Sequence, residues 1–396
     1  MRLLYIAGYL AIPAAFLVHF LAHDKHWEPT TTFFLAALGV VPLAHLMGES
    51  TEELSARAGP TWGGLLNATF GNAAELIIGI IALSKGLNGI VKASLTGSIL
   101  GNLLLVSGCA MVVGGWRRDK QTFSRPAAEA NAGLLVVAVA AMLLPAIFHF
   151  TAETLHDQHL AEHEHAVSIG TSVILLIVYA LGLLFTLKTH AHLFSTPPPS
   201  GPEGPQGMQR GWSARKSVLV LLAASAGIGI VAELLVGSAE TMAKSLGWNH
   251  VFVGVILLAI IGNAAEHSTA LMLAHRNDMD TAMTITYQSS VQIALFATPF
   301  LVLCSSLFVV LNLHHARHMD LVFTPLEVVA VVLTVMIVIV LLMNGETNWF
   351  EGAMLLALYG ILGITFFYIP PTGPDDAPQH EAKTEWAPAT TPQTSR

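Results

Sequence analysis

The sequence predicts an all-α, polytopic membrane protein of about eleven transmembrane helices. Three observations carry that reading. Only 11% of the 396 residues are charged while 54% are hydrophobic, whereas a soluble domain is roughly a quarter charged. The apolar residues fall in runs of about 20, the length a helix needs to cross the hydrocarbon core. A short motif also recurs in the two halves, in segments that the span count orients oppositely. Too few charges remain to coat a water-facing globule, so the lipid bilayer is the first partner. The formal charge of −8 supplies no basic stripe for nucleic acid.

The spans read as 2–22, 30–49, 61–84, 92–115, 127–150, 165–187, 216–243, 250–275, 281–311, 322–343 and 350–369. The first follows a single Arg and could be a cleaved signal peptide, but it is long for one and lacks a small-x-small cleavage site, so it reads as a retained helix. Pro13, Pro42, Gly71, Pro145, Gly262 and Pro299 fall inside spans. Such residues persist in membranes where neighbours or a cavity satisfy the freed backbone. Cys109 and Cys304, the only cysteines, lie inside apolar runs and read as small core residues.

Five stretches follow: an extra N-terminal helix (1–29), a first repeat (30–188), a linker (189–214), a second repeat (215–369) and a tail (370–396). The linker contains the Pro/Gly/Ser-rich run from Ser195 to Gln209, which cannot pack a core and reads as flexible and cytoplasmic. The tail is polar and Pro/Thr-rich, and reads as disordered. Lys and Arg concentrate in alternate loops, including Arg57, Arg117, Arg118, Lys120, Arg125, Lys188, Arg215, Lys216 and Arg276. That bias puts the N-terminus in the cytoplasm and the C-terminus outside.

The repeat carries the functional argument. Gly71-Asn-Ala-Ala-Glu75 recurs as Gly262-Asn-Ala-Ala-Glu266, an offset of 191 residues. At the same offset Glu49 falls on Glu240 and Ser98 on Ser289. An odd number of spans separates the copies, so they run oppositely, an architecture that places substrate near the midplane. An ionised carboxylate at bilayer depth costs about 3 kcal/mol or more unless it faces a cavity or is paired. Two facing carboxylates also repel. A divalent cation relieves both penalties, and so do protons. Glu75 and Glu266 are therefore the expected metal and proton ligands of a site where Ca²⁺ and H⁺ compete. Gly71 and Gly262 would expose backbone carbonyls. Asn72 and Asn263, three residues before their glutamates, would share their helical face. Ser98, Ser289, Gln288 and Gln292 add neutral oxygens.

These residues resemble the calcium/proton exchanger family of the larger cation/Ca²⁺ exchanger superfamily. Lys92-Ala-Ser-Leu-Thr-Gly-Ser-Ile-Leu-Gly-Asn, Leu187-Lys-Thr-His and Gln288-Ser-Ser-Val-Gln-Ile-Ala-Leu match as well. The resemblance implies an eleven-helix inverted-repeat antiporter that moves Ca²⁺ against H⁺, with no cofactor, by sliding helices that expose Glu75 and Glu266 to each side in turn. Some eukaryotic members carry an acidic segment between the halves; the linker here is Pro/Gly-rich, and a bacterial inner membrane is the expected location.

Glu49, Glu240, Glu233 and His267 are vestibule or relay candidates; Glu52 and Glu53 could join Glu49 in an acidic mouth that concentrates cations, but read rather as a solvated helix end. The loop after the fifth span holds His149, His156, His159, His163 and His165 among four acids. It matches no zinc signature and reads as solvated rather than as a metal site or pH sensor. Exchange of Na⁺, K⁺ or Mn²⁺ for H⁺ is the alternative within transport, and a passive cation channel the alternative outside it. No protease, nucleophile-elbow or P-loop motif appears, so neither an enzyme nor a nucleotide-driven pump is expected.

Overall fold

The computed structural model describes residues 2–22, 25–191, 211–313, 316–342 and 344–370. The linker run Ser195–Gln209 and nearly all of the expected tail lie outside the described residues. Helices dominate, in chain order α1 (Arg2–Leu21), α2 (Glu28–Gly59), α3 (Trp62–Phe70), α4 (Ala73–Ser84) and α5 (Asn88–Gly115). Next come α6 (Arg125–Thr154), α7 (Leu160–Thr189) and α8 (Ala214–Leu246). The rest are α9 (His250–Gly262), α10 (Ala264–His275), α11 (Met279–Val310), α12 (Pro325–Leu342) and α13 (Trp349–Phe367). Among the described residues nine single helices are long and apolar enough to cross a membrane, and the bent pairs α3–α4 and α9–α10, each taken as one span, bring the number to eleven. The expected span count is met.

Local chemistry explains the interruptions. Gly59 adopts φ +81° and ψ 172°, a conformation open to glycine alone without strain, and the following Pro60 has no N–H to carry the helix on. Hence α2 runs ten residues past the expected end at 49, and Glu49, Glu52 and Glu53 lie on it rather than at its end. The α3–α4 bend of 41° falls at Gly71-Asn72, and the α9–α10 bend of 61° at Gly262-Asn263. The repeat motifs are therefore hinges between half-helices.

The two halves repeat in finer detail. π-helical turns cover Gly101–Val106 in α5 and Ile293–Ala297 in α11. In each, a hydroxyl takes up the carbonyl five residues back: Ser107 donates to Asn102 O (2.9 Å) and Thr298 to Ile293 O (2.8 Å). Those residues are again 191 apart. Helices α2 and α8 pack antiparallel along one another, with Thr30 Oγ1 3.0 Å from Ser245 Oγ near one end and Ser225 Oγ 3.4 Å from Met47 Sδ further along. Helix α1 lies outside on α2, its Gly8 directly against Pro42. A two-residue strand pairing, β1 (Gln121–Thr122) with β2 (Glu346–Thr347), ties the α5–α6 loop to the α12–α13 loop.

Candidate functional site

Each hinge delivers its glutamate to the first turn of a new half-helix, α4 for Glu75 and α10 for Glu266. Unpaired N–H groups and the positive end of the helix dipole favour negative charge there. Glu75 reaches across the repeat boundary, with Oε1 3.4 Å from where a Cβ on Gly262 would stand. The carboxylate of one half thus lies in van der Waals contact with the hinge of the other. Glu75 and Glu266 interact electrostatically and line one cavity of about 300 Å³. Both are half-buried, deep in the protein but with surface on that cavity. Glu266 Oε2, on the wall of that cavity, is buried with no hydrogen-bond partner among the described residues. Such an orphaned acceptor marks a place that a cation or proton completes.

The cavity runs toward the protein face that carries the α2–α3 junction and the α10–α11 turn. Glu49, Glu52, His45, Asn67, Thr269, Met272, Gln288, Ser289 and Gln292 line it. Toward the other face only about 20 Å³ remains beside Glu75, walled by Ile78, Ala82, Leu95, Val236, Leu258 and Leu301. There α5 meets α9 backbone to backbone: a Cβ on Gly97 would fall 2.1 Å from Val255 O, and one on Gly254 2.4 Å from the Ala93 side chain. The site is open on one side and sealed on the other.

Behind the acids the repeats interlock. Asn263 Nδ2 donates to Ser98 Oγ (2.9 Å), and Ser289 Oγ donates to Asn72 Oδ1 (3.0 Å). At the offset of 191 these are the same contact made twice, each hinge asparagine bonding the serine of the other half. Asn72 Nδ2 also donates to Gln292 Oε1 (3.0 Å), and Asn102 Nδ2 to Ser289 Oγ (3.0 Å). Asn72 and Asn263 therefore do not share a helical face with their glutamates. The chain breaks at each asparagine, and the amides turn away to join the halves. Ser98 meets Glu75 only in the small sealed space.

The lesser candidates separate. Glu49 lines the cavity, and so does Glu52, because α2 continues past 49 and carries both along the vestibule; Glu53 does not line it. Glu240 pairs with Lys244 at 2.8 Å and Glu233 with Lys85 at 2.7 Å, so both lie on α8 toward the sealed face and outside the cavity. His267 also lies outside it, its Nε2 buried without a partner among the described residues. In the His-rich loop His163 Nδ1 bonds Asp157 Oδ2 at 2.6 Å and His149 bonds Glu164. No group of three or more His, Cys, Asp or Glu that could hold a metal occurs among the described residues.

Sequence reasoning missed Asn67, one turn before Gly71, and Asn102, one turn after Ser98; both are polar residues within spans, at helical spacing from the motifs. It also missed a second cavity of about 390 Å³ between α3, α6, α7 and α11, which shares Asn67, Gln288 and Gln292 with the first. That cavity is larger but has a single acid, Asp280, so the carboxylate chemistry belongs to its neighbour.

Two acids at the hinges of inverted repeats, beneath a cavity open to one side, define a membrane exchanger of small cations. The match to known proteins agrees: residues 29–188 and 216–368 fit the sodium/calcium exchanger protein family, and the chain belongs to it. It is 42% identical over 370 residues to the Ca²⁺/H⁺ antiporter of Aphanothece halophytica, covering 91% of this chain and 95% of that one. It is equally 42% identical over 345 residues to the Ca²⁺/H⁺ antiporter ChaA of Bacillus subtilis, covering 87% and 94%. Its fold is similar to that of the selenium-substituted Ca²⁺/H⁺ antiporter protein YfkE, with a TM-score of 0.76, 38% identity, and coverage of 93% and 100%. The resemblance carried by the paired motifs is borne out, as is the expectation of a transporter rather than an enzyme.

Proposed function

We propose that this protein is a secondary active antiporter that exchanges Ca²⁺ for H⁺ at Glu75 and Glu266. The observation that carries the proposal is the meeting of the two acids, one from each inverted half, at the floor of a one-sided cavity. The names of its relatives support the choice of ions.

In this reading Ca²⁺ enters past Glu49 and Glu52, whose charge concentrates cations at the mouth. It exchanges water for carboxylate oxygens and for the neutral oxygens of Gln288, Ser289 and Gln292, the hard ligands that Ca²⁺ takes. One Ca²⁺ or two protons cancel the charge of the pair. The empty site holds two uncompensated charges away from water, which opposes its passage between the open and sealed arrangements. Exchange then proceeds and leakage does not. The Lys/Arg bias makes the open face cytoplasmic, in a bacterial inner membrane, with H⁺ entering as Ca²⁺ leaves.

Everted vesicles with an imposed pH gradient should accumulate radiolabelled Ca²⁺. Glu75→Gln and Glu266→Gln should each abolish accumulation while still inserting in the membrane. Full uptake by either variant would remove the acid pair from the mechanism.

A further inference from the structure

The sealed face carries an ion pair that the exchange site does not use. Lys85 caps the C-terminal end of α4, ten residues after Glu75. Its Nζ lies 2.7 Å from Glu233 Oε2 and 3.4 Å from Glu233 O, both on α8. The repeat offset carries Lys85 onto Arg276. Arg276 is the matching cap of α10, ten residues after Glu266, at the open face. It is exposed and makes no ion pair among the described residues. Across the cavity from α10 stands α2, the repeat mate of α8, with Glu49 on the cavity wall. Pro42 occupies the position equivalent to Glu233. Glu49 lies two helical turns nearer the open face and on the same side of α2, since seven residues make about two turns.

We propose that Lys85–Glu233 and Arg276–Glu49 are reciprocal latches, the first holding the face that is sealed here and the second forming when the other face closes. One basic residue at the end of each acid-bearing half-helix would thus grip the long helix of the opposite repeat, each in only one arrangement. Helices α2 and α8 pack along each other, so a shift of that pair releases one grip as it makes the other. Lys85, Glu233 and Arg276 are positioning residues: they lie outside the ion cavity and act on which side the site faces. The idea rests on alternating access at Glu75 and Glu266.

The ratio of half-saturating Ca²⁺ from the two faces varies in inverse proportion to the ratio of the two conformations, because each intrinsic constant is divided by the fraction facing that way. Exposed ion pairs are modest, so each latch should move this ratio by about two- to fivefold. Glu233→Gln should shift it toward the face sealed here, and Arg276→Gln toward the face open here. The double exchange Lys85→Glu with Glu233→Lys should restore the wild-type ratio. A cysteine at Met272, which lines the open cavity, gives a readout that needs no transport. Its labelling by an impermeant maleimide should fall with Glu233→Gln and rise with Arg276→Gln. Shifts in the same direction, no shift, or a charge exchange that fails to restore the ratio would overturn the latches. Loss of Ca²⁺ transport with the labelling pattern intact would instead point to the exchange site.

Discussion

The crossed hydrogen bonds set unequal demands on two serines that the repeat relates. Ser289 serves Asn72 Oδ1 and Asn102 Nδ2 at once, while Ser98 accepts from Asn263 Nδ2, which also lies 2.9 Å from Ala259 O. Leaving a buried polar atom unpaired costs about 1–3 kcal/mol. Ser289→Ala orphans two such atoms, and Ser98→Ala leaves its asparagine a second acceptor. Ser289→Ala should therefore lower the melting temperature of purified protein more than Ser98→Ala, and equal losses would contradict the asymmetry. The acids and their motif were legible in the sequence because ionised groups are rare in apolar spans. The asparagines' role was not, because a helical face assumes an unbroken helix and the break falls on those residues. Glu52 reads from sequence as a solvated helix end for a different reason: hydropathy ends a span where charges begin, and it cannot see that the charges line a protein-walled cavity.

Among elements, the close meeting of α5 and α9 is what seals one face. A methyl at Gly97 would sit 2.1 Å from Val255 O, whereas one at Gly101, a turn further on, meets nothing within 4 Å. Overpacking a closely packed contact costs about 1–3 kcal/mol. Gly97→Ala should lower thermal stability by that order and Gly101→Ala should change it little; a tolerated Gly97→Ala would mean the seal is not built on backbone contact. The turn between α6 and α7 makes a contrasting case. A hydrogen bond from His163 holds the Asp157 carboxyl below its usual range, aided by the His159 backbone N–H. The ordering this lends the turn is present above the ordinary carboxylate range and is lost as pH falls through the depressed value. Asp157 thus keeps its charge throughout the neutral range, and Asp157→Asn should leave the pH profile of Ca²⁺ transport unchanged. A displaced profile would make this turn a sensor. The spans were legible from apolar length alone and the freed backbone at Gly71 and Gly262 from glycine within them, but the π-turns were not, since the hydroxyls that take up their carbonyls, Ser107 and Thr298, leave hydropathy unbroken.

At the scale of the whole molecule, the exchange site ties Ca²⁺ affinity to proton concentration. If protons and Ca²⁺ compete for the same two carboxylates, acidifying the open face must raise half-saturating Ca²⁺. Where both carboxylates bind protons in the Ca²⁺-free protein, each tenfold rise in proton concentration raises that constant by about a hundredfold; where one does, by about tenfold. The same competition appears in stability, because a ligand that binds only the folded protein stabilises it by about 2.7 kcal/mol at a hundred times its dissociation constant. Ca²⁺ should therefore raise the melting temperature of the wild-type protein strongly at alkaline pH and weakly at acid pH. Glu75→Gln and Glu266→Gln, with one carboxylate each, should show little Ca²⁺ effect at either pH. Thermal shift assays across Ca²⁺ and pH measure both dependences without a membrane gradient. Ca²⁺ stabilisation that ignores pH would mean that protons act elsewhere, and the two acids would then bind the metal without coupling it to proton movement.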